Sequence, residues 1–193
     1  MFDKPPSGGL FCKEKPMYIW IGCKLPEDFE QELRACCILH NEQIGLDMAA
    51  FSLPQHISLK ISFETQQPES ILGDLAAFLQ GQESFSVRMQ NPEQAGKILW
   101  LPVAENGQLC RLHEQLDARL ERQFGVPQHP FDKEFMFHST LFMDENPENI
   151  AKMRELLAVY PMDRELVVDT FLLGASETGK PGTYRVIRQI KVK

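Results

Sequence analysis

The sequence is short of positive charge. Its 20 Lys and Arg stand against 27 Asp and Glu, a formal net charge of -7, and the isoelectric point is near 5.3. A protein that grips nucleic-acid backbone over a long stretch needs a basic surface, so the charge argues against that class; it does not exclude a small phosphate site or a hold on one nucleic-acid end. The chain also lacks any apolar run long enough to span a bilayer, and its start lacks the apolar core of a secretory leader, so no membrane partner is expected. Cys12, Cys23, Cys36, Cys37 and Cys110 are odd in number and never spaced C-x-x-C. They read as reduced thiols, which points to the cytoplasm. H-E-x-x-H is missing as well, and His113-Glu114 has no second histidine four residues on. The one other metal grouping in view, His129, Asp132 and His138, is set aside on the same ground, so neither a metal nor any other cofactor is expected.

What the sequence does have is a repeated pattern. His56-Ile57-Ser58-Leu59 and His138-Ser139-Thr140-Leu141 both read histidine, any residue, hydroxyl, leucine. Two such hits among five histidines arise by composition alone roughly 1% of the time. The first copy opens a strict polar–apolar alternation through Phe63, the mark of a half-buried strand. Ile57, Leu59, Ile61 and Phe63 are predicted to face the core, with His56, Ser58, Lys60 and Ser62 together on the other face. In the second copy His138, Thr140 and Phe142 share one face, and Phe137, Ser139, Leu141 and Met143 the other.

The rest of the chain falls into place around these strands. Residues 1–16, with Pro5, Pro6, Gly8, Gly9 and Pro16, read as an irregular arm, and 17–193 as a single domain with a substantial core. Residues 17–23 are β-branched and aromatic, a buried strand. Pro26, Glu27 and Asp28 open a helix whose apolar stripe runs from Phe29 to Met48, with His40 on it as a packed or edge histidine. Pro68 opens a second helix, and residues 84–90 and 97–103 are strands joined across Asn91-Pro92 and Gly96. Asn106-Gly107 starts a leucine-spaced helix that Gly125 stops. Asn146-Pro147-Glu148 starts a fourth helix. Residues 164–173 and 183–192 read as closing strands.

The predicted order is β-α-β-α-β twice, plus a final strand, an α+β architecture. Each unit carries one H-x-[ST]-L on its second strand. A duplication packed about a pseudo-twofold axis would set the two histidines on opposite sides of one central cleft.

On these residues the chain resembles the 2H phosphoesterase superfamily, and within it the LigT-like, 2′-5′ RNA ligase-like group. The run KILWLPV at 97–103 followed by the leucine-spaced helix, and the late strand G-T-Y-R-V-I, carry the likeness beyond the two motifs, over about residues 17–192. The resemblance implies a two-lobed fold of antiparallel sheets around a cleft and metal-independent opening of 2′,3′-cyclic phosphates or related small phosphodiesters. 2′-5′ RNA ligation is the reverse of the same chemistry, and the family's setting is RNA processing. It implies His56 and His138 as acid and base, and Ser58 and Thr140 as phosphate holders. Lys60 and Tyr184 are candidate substrate contacts: Lys60 as cleft charge or solvated rim lysine, Tyr184 as a base-stacking or packed tyrosine. Trp20, Trp100 and Phe142 are expected in the core. The chain has Ser at 58 where the family more commonly has Thr, which keeps the hydroxyl. The acidic composition favours a small cyclic nucleotide over a long RNA, and a monomer is expected.

The chemistry suits those residue types. Cleaving a phosphodiester needs a base for water, an acid for the departing oxygen and donors for the phosphoryl oxygens. An imidazole titrates near neutrality, so one ring can be neutral while its partner is charged. Two other readings compete. In one, both histidines are ordinary strand residues with satisfied hydrogen bonds. In the other, the fold serves as a non-catalytic nucleotide- or RNA-end-binding module.

Overall fold

A computed structural model describes residues 15–193, so most of the arm assigned to 1–16, and Cys12, lie outside the described residues. Strand β1 (Met17–Lys24) leads into α1 (Glu27–Asn41), whose first turn carries Glu27, Asp28 and Glu30 against the positive end of the helix. A one-turn helix at Ala49–Ser52 precedes β2 (His56–Thr65), and Pro68 sits in the first turn of α2 (Pro68–Gln80). Strands β3 (Phe85–Met89), β4 (Glu93–Ala95) and β5 (Ile98–Pro102) follow. Helix α3 (Gly107–Phe124) is capped by the Asn106 side chain, which accepts from the amides of Gln108 and Leu109, and ends on Gly125 at φ 67°. That left-handed geometry suits glycine. A short turn of helix at Pro130–Glu134 leads to β6 (His138–Met143), then α4 (Pro147–Leu157), β7 (Arg164–Val168), β8 (Thr170–Ser176) and β9 (Arg185–Lys191).

The strands make two lobes. In the first, the order is β2-β1-β8-β9, all antiparallel. In the second, β5 lies between β4 and β6, and the β3-β7 pair joins the end of β5 through a Met89–Val103 bridge. Amide bonds from Gln90 to the Pro102 carbonyl and from Ala104 to the Arg88 carbonyl complete that seam. The two β-α-β-α-β units are thus successive in sequence but exchanged in space, because β3, the last strand of the first unit, is built into the second lobe. Helix packing crosses in the same way: α3 rests on β2, and the Ala49–Ser52 turn rests on β6. Ile57, Leu59, Leu75, Leu99, Leu116, Leu141 and Phe171 are fully buried. Each such side chain contributes about 1.5–3 kcal/mol.

Several local expectations shift. The strand read as 164–173 breaks at Asp169: residues before it pair with β3, and residues after it pair with β1 and β9. The Asp169 carbonyl accepts the Val192 amide and its carboxylate the Thr170 hydroxyl, which fixes the corner. Helix α1 stops at Asn41 rather than reaching Met48, because the Asn41 side-chain amide bonds both the amide and the carbonyl of Leu46 and folds the chain back. Ile44 and Met48 still pack on the core from that loop. Glu93–Ala95, read as connection, is a short edge strand.

The motif strands depart from simple alternation at matching places. Neighbouring residues Gly22 and Ile21 of β1 face Ser58 and Lys60, leaving Leu59 as an extra residue. Trp100 and Leu99 of β5 face Thr140 and Phe142, leaving Leu141 extra. Such a bulge switches the faces of all that follows. Phe142 is therefore in the core against Phe51, and Met143 is exposed, the reverse of the alternating reading. In β2 the same switch turns Ile61 to the cavity instead of the core, and a second register shift before Phe63 returns that ring to the core.

Candidate active site

The two motif strands start side by side, one from each lobe. His56 and His138 are both half-buried and both line one cavity of about 640 Å³. Ser58 lines it too, along with Trp20, Ile61, Ile98, Trp100, Phe135 and Met136. Thr140 lines a smaller adjoining cavity of about 180 Å³ together with His56, Ser58 and Tyr184. All four motif residues therefore meet in one region.

The histidines are held in the same way. The Nδ1–H of His56 donates to the Pro54 carbonyl at 2.8 Å, and that of His138 to the Met136 carbonyl at 2.7 Å. A carbonyl only accepts, so each Nδ1 keeps its hydrogen and each neutral ring carries its lone pair on Nε2. Each ring also has an indole behind it: Trp20 at 4.4 Å from His56, and Trp100 at 4.3 Å from His138, between centroids. Trp20 is buried and Trp100 half-buried. Burial pulls both imidazoles below their ordinary titration range, opposed in each case by the carbonyl bond, and the proximity of His138 lowers His56 further. Glycine makes the Trp20 support possible. A β-carbon on Gly174 would lie 2.0 Å from the indole Nε1, and one on Gly22 would lie 2.9 Å from the ring and 3.0 Å from His56.

A buried hydrogen bond ties the motifs together. The Ser139 hydroxyl donates to Gln55 Oε1 at 3.0 Å, and both residues are 1% exposed. One is next to His138 and Thr140, the other next to His56. Nothing in an isolated motif marks this tie; a serine and a glutamine adjoining two histidines was the only available signal.

Lys60 is neither a solvated rim lysine nor a free cleft charge. It is 3% exposed, with its ammonium against the Asp132 carboxylate and 2.8 Å from Asp117 Oδ1. His113 completes this group, its Nδ1 at 2.7 Å from the Leu59 carbonyl and its Nε2 at 3.1 Å from the Asp132 carbonyl. Both ring nitrogens face carbonyl acceptors, so the ring is held between Leu59 of β2 and Asp132 of the loop before β6. His113, Asp117 and Asp132 bring ligand-type atoms within 4.8 Å of one another, but the chain's own ammonium lies against both carboxylates. Asp132 is thus engaged by Lys60, and His129 Nδ1 accepts the Phe131 amide, so these two do not converge with His138. His40 bonds the Tyr160 hydroxyl at 3.0 Å, away from the cleft. Tyr184 lines both cavities, its hydroxyl engaged by Ser62 and by the Gly179 carbonyl.

The sequence matches the model of the 2′-5′ RNA ligase superfamily over residues 25–179. The chain belongs to that superfamily. The superfamily's fold is present throughout: LigT of E. coli is 18% identical with a TM-score of 0.61, covering 93% of this chain and 99% of its own. TT0787 of Thermus thermophilus is 21% identical with a TM-score of 0.61, over 91% and 97%. Usb1 of Kluyveromyces marxianus is more distant, 14% identical with a TM-score of 0.51 over 93% and 99%. No curated protein matches the sequence. The α+β, two-lobed LigT-like architecture read from the sequence is the observed one. No helix among the described residues is long and apolar enough to cross a membrane, and Cys23, Cys36, Cys37 and Cys110 are free thiols.

Proposed function

We propose that the protein is a metal-independent phosphodiesterase that opens nucleoside 2′,3′-cyclic phosphates, acting as a cytoplasmic monomer. The observation that carries this reading is the matched pair of imidazoles. Each has its Nδ1 hydrogen fixed by a carbonyl, and both border one cavity with the two motif hydroxyls beside them. In the reaction one neutral ring takes a proton from water at Nε2 while the water oxygen bonds to phosphorus. The bond from phosphorus to one ribose oxygen breaks, and the other ring, as imidazolium, gives that oxygen its proton. Ser58 and Thr140 donate to the non-bridging oxygens. With water replaced by a ribose 5′-hydroxyl, the same step forms a 2′-5′ linkage as the bond from phosphorus to the 3′ oxygen breaks.

The cavity favours a small substrate with one anionic centre. Its walls are mostly apolar, its lysine is neutralised by carboxylates, and among the described residues Glu134 is the one other charged residue lining it besides the histidines. Trp20, Ile61, Ile98, Trp100, Phe135 and Met136 offer surface for a base and ribose, with Tyr184 as a further contact. Structures of E. coli LigT hold 3′-AMP, NADP+, ATP or phosphate, which supports a nucleotide-sized ligand here.

The test is a panel of 2′,3′-cyclic nucleotides, ADP-ribose cyclic phosphate and 2′-5′ oligonucleotides, with product position read by NMR. Ring opening of the cyclic nucleotides at a single oxygen is expected. Tight binding of the whole panel without product would instead identify a nucleotide-binding module.

A further inference from the structure

The Lys60 group has no part in the chemistry just described, yet it buries an ammonium, two carboxylates and an imidazole under the cleft. Removing charges from water is costly, and a buried ion group is a poor source of stability compared with apolar packing. Its contacts converge on one segment. Asp132 belongs to the loop from 129 to 137, which delivers the chain into β6. Its carboxylate holds Lys60 of β2 and accepts the His129 amide at 2.6 Å, and its carbonyl accepts from His113. The His113 ring then stacks on Phe135 with centroids 4.4 Å apart and meets Phe137 edge-on at 6.0 Å. Between these two phenylalanines lies Met136, a residue 64% exposed whose carbonyl orients His138.

We propose that Lys60, His113, Asp117 and Asp132 form a clamp that positions His138, by fixing the Met136 carbonyl relative to β2 and therefore relative to His56. This inference rests on the reading of His138 as an acid–base residue, and these four are positioning residues. Lys60 and Asp132 are the join between the motif strand of one lobe and the loop feeding the motif strand of the other. His113 and Asp117, one helical turn apart on α3, lock that join from below. The counterpart carbonyl at Pro54 is held separately. The neighbouring Gln55 bonds Glu30, Ala50 and Ser139 instead, so the clamp acts on one histidine and not on both.

The test reads the ring tautomers of His56 and His138 by 15N NMR, alongside turnover of a 2′,3′-cyclic nucleotide. The variant is Lys60→Met with Asp132→Asn, which removes one charge of each sign and leaves His113 facing Asp117. In the unaltered protein both catalytic rings are expected to hold hydrogen on Nδ1. In the folded variant His138 is expected to become a mixture of tautomers while His56 stays on Nδ1. kcat should fall roughly tenfold or more with KM within about twofold, the signature of lost orientation without lost binding. Lys60→Arg, with both carboxylates intact, should restore the single tautomer. If the double variant does not fold, His113→Leu carries the same test, because it keeps the Lys60 ion pairs and removes the donor to the Asp132 carbonyl. A folded variant in which His138 keeps Nδ1–H would overturn the clamp. Absence of turnover in the unaltered protein, with the tautomers behaving as stated, would instead sink the catalytic reading and leave the clamp standing.

Discussion

Gly174→Ala is the perturbation that isolates the support behind His56 without touching any reacting group. The new β-carbon would sit 2.0 Å from Trp20 Nε1, 2.3 Å from Cε2 and 2.8 Å from Cζ2. Comfortable contact needs about 3.5 Å, so the indole must move by about 1.5 Å. Its way out is limited, because Gly174 lies directly across from Trp20 in the β1–β8 ladder and His56 packs 4.4 Å from the indole. Overpacking of this kind costs about 1–3 kcal/mol. For a chain of this size that corresponds to a fall in Tm of about 2–12 °C. If the displaced indole carries His56 about 1 Å from its place, kcat drops roughly 10²-fold. Scanning calorimetry and cyclic-nucleotide turnover measure both effects. Adding Trp20→Phe to Gly174→Ala removes the Nε1 atom that clashes. The double variant should then be more stable than the sum of the single losses by about 0.5–3 kcal/mol. Gly174→Ala with unchanged Tm and rate would refute the claim that the indole is wedged behind His56.

Three further outcomes follow from the same geometry. Ser58→Ala and Thr140→Val should each lower kcat by about 10²–10³-fold through loss of a phosphate donor. Both hydroxyls are half-exposed, so each change should move stability by no more than about 0.5 kcal/mol. Ser139→Ala leaves the buried Gln55 Oε1 without its donor and should cost about 1–3 kcal/mol, read as a lower denaturant midpoint at unchanged slope. Burial lowers the titration of both His56 and His138 from 6.5, so the unfolded chain binds protons first as the pH drops. Stability from these groups should be full above the unfolded value and decline as pH falls through 6.5 towards their folded values. A His56→Asn, His138→Asn double variant should show a shallower decline in Tm over that window.

The paired motifs were legible because histidine, hydroxyl and leucine lie within four consecutive residues on each strand. Helix boundaries set by Asn106, Gly125 and Asn146-Pro147 were legible too, since capping is local chemistry. What sequence reading missed depends on partners far along the chain. The exchange of β3 into the second lobe is decided by its pairing with β7. The break at Asp169 is decided by two sheets competing for one segment. The bulges at Leu59 and Leu141 arise from register against β1 and β5, which alternation within a single strand does not report. Trp20 and Trp100 were assigned to the core on type alone, and their position behind the histidines required the ladders. Lys60 was misjudged because its partners lie on α3 and in the loop before β6. A signal for them was present. His113 and Asp117 directly follow Leu112 and Leu116, and all four are buried on one face of α3. An ionisable pair four residues apart on a leucine stripe implies a buried counter-charge.

The most direct measurement is the turnover of one 2′,3′-cyclic nucleotide, in EDTA, by the unaltered protein and by His56→Asn and His138→Asn separately. Ring opening by the unaltered protein, with kcat reduced roughly 10²-fold or more in each variant, is the expected result. Comparable rates in either folded variant would contradict paired-histidine catalysis.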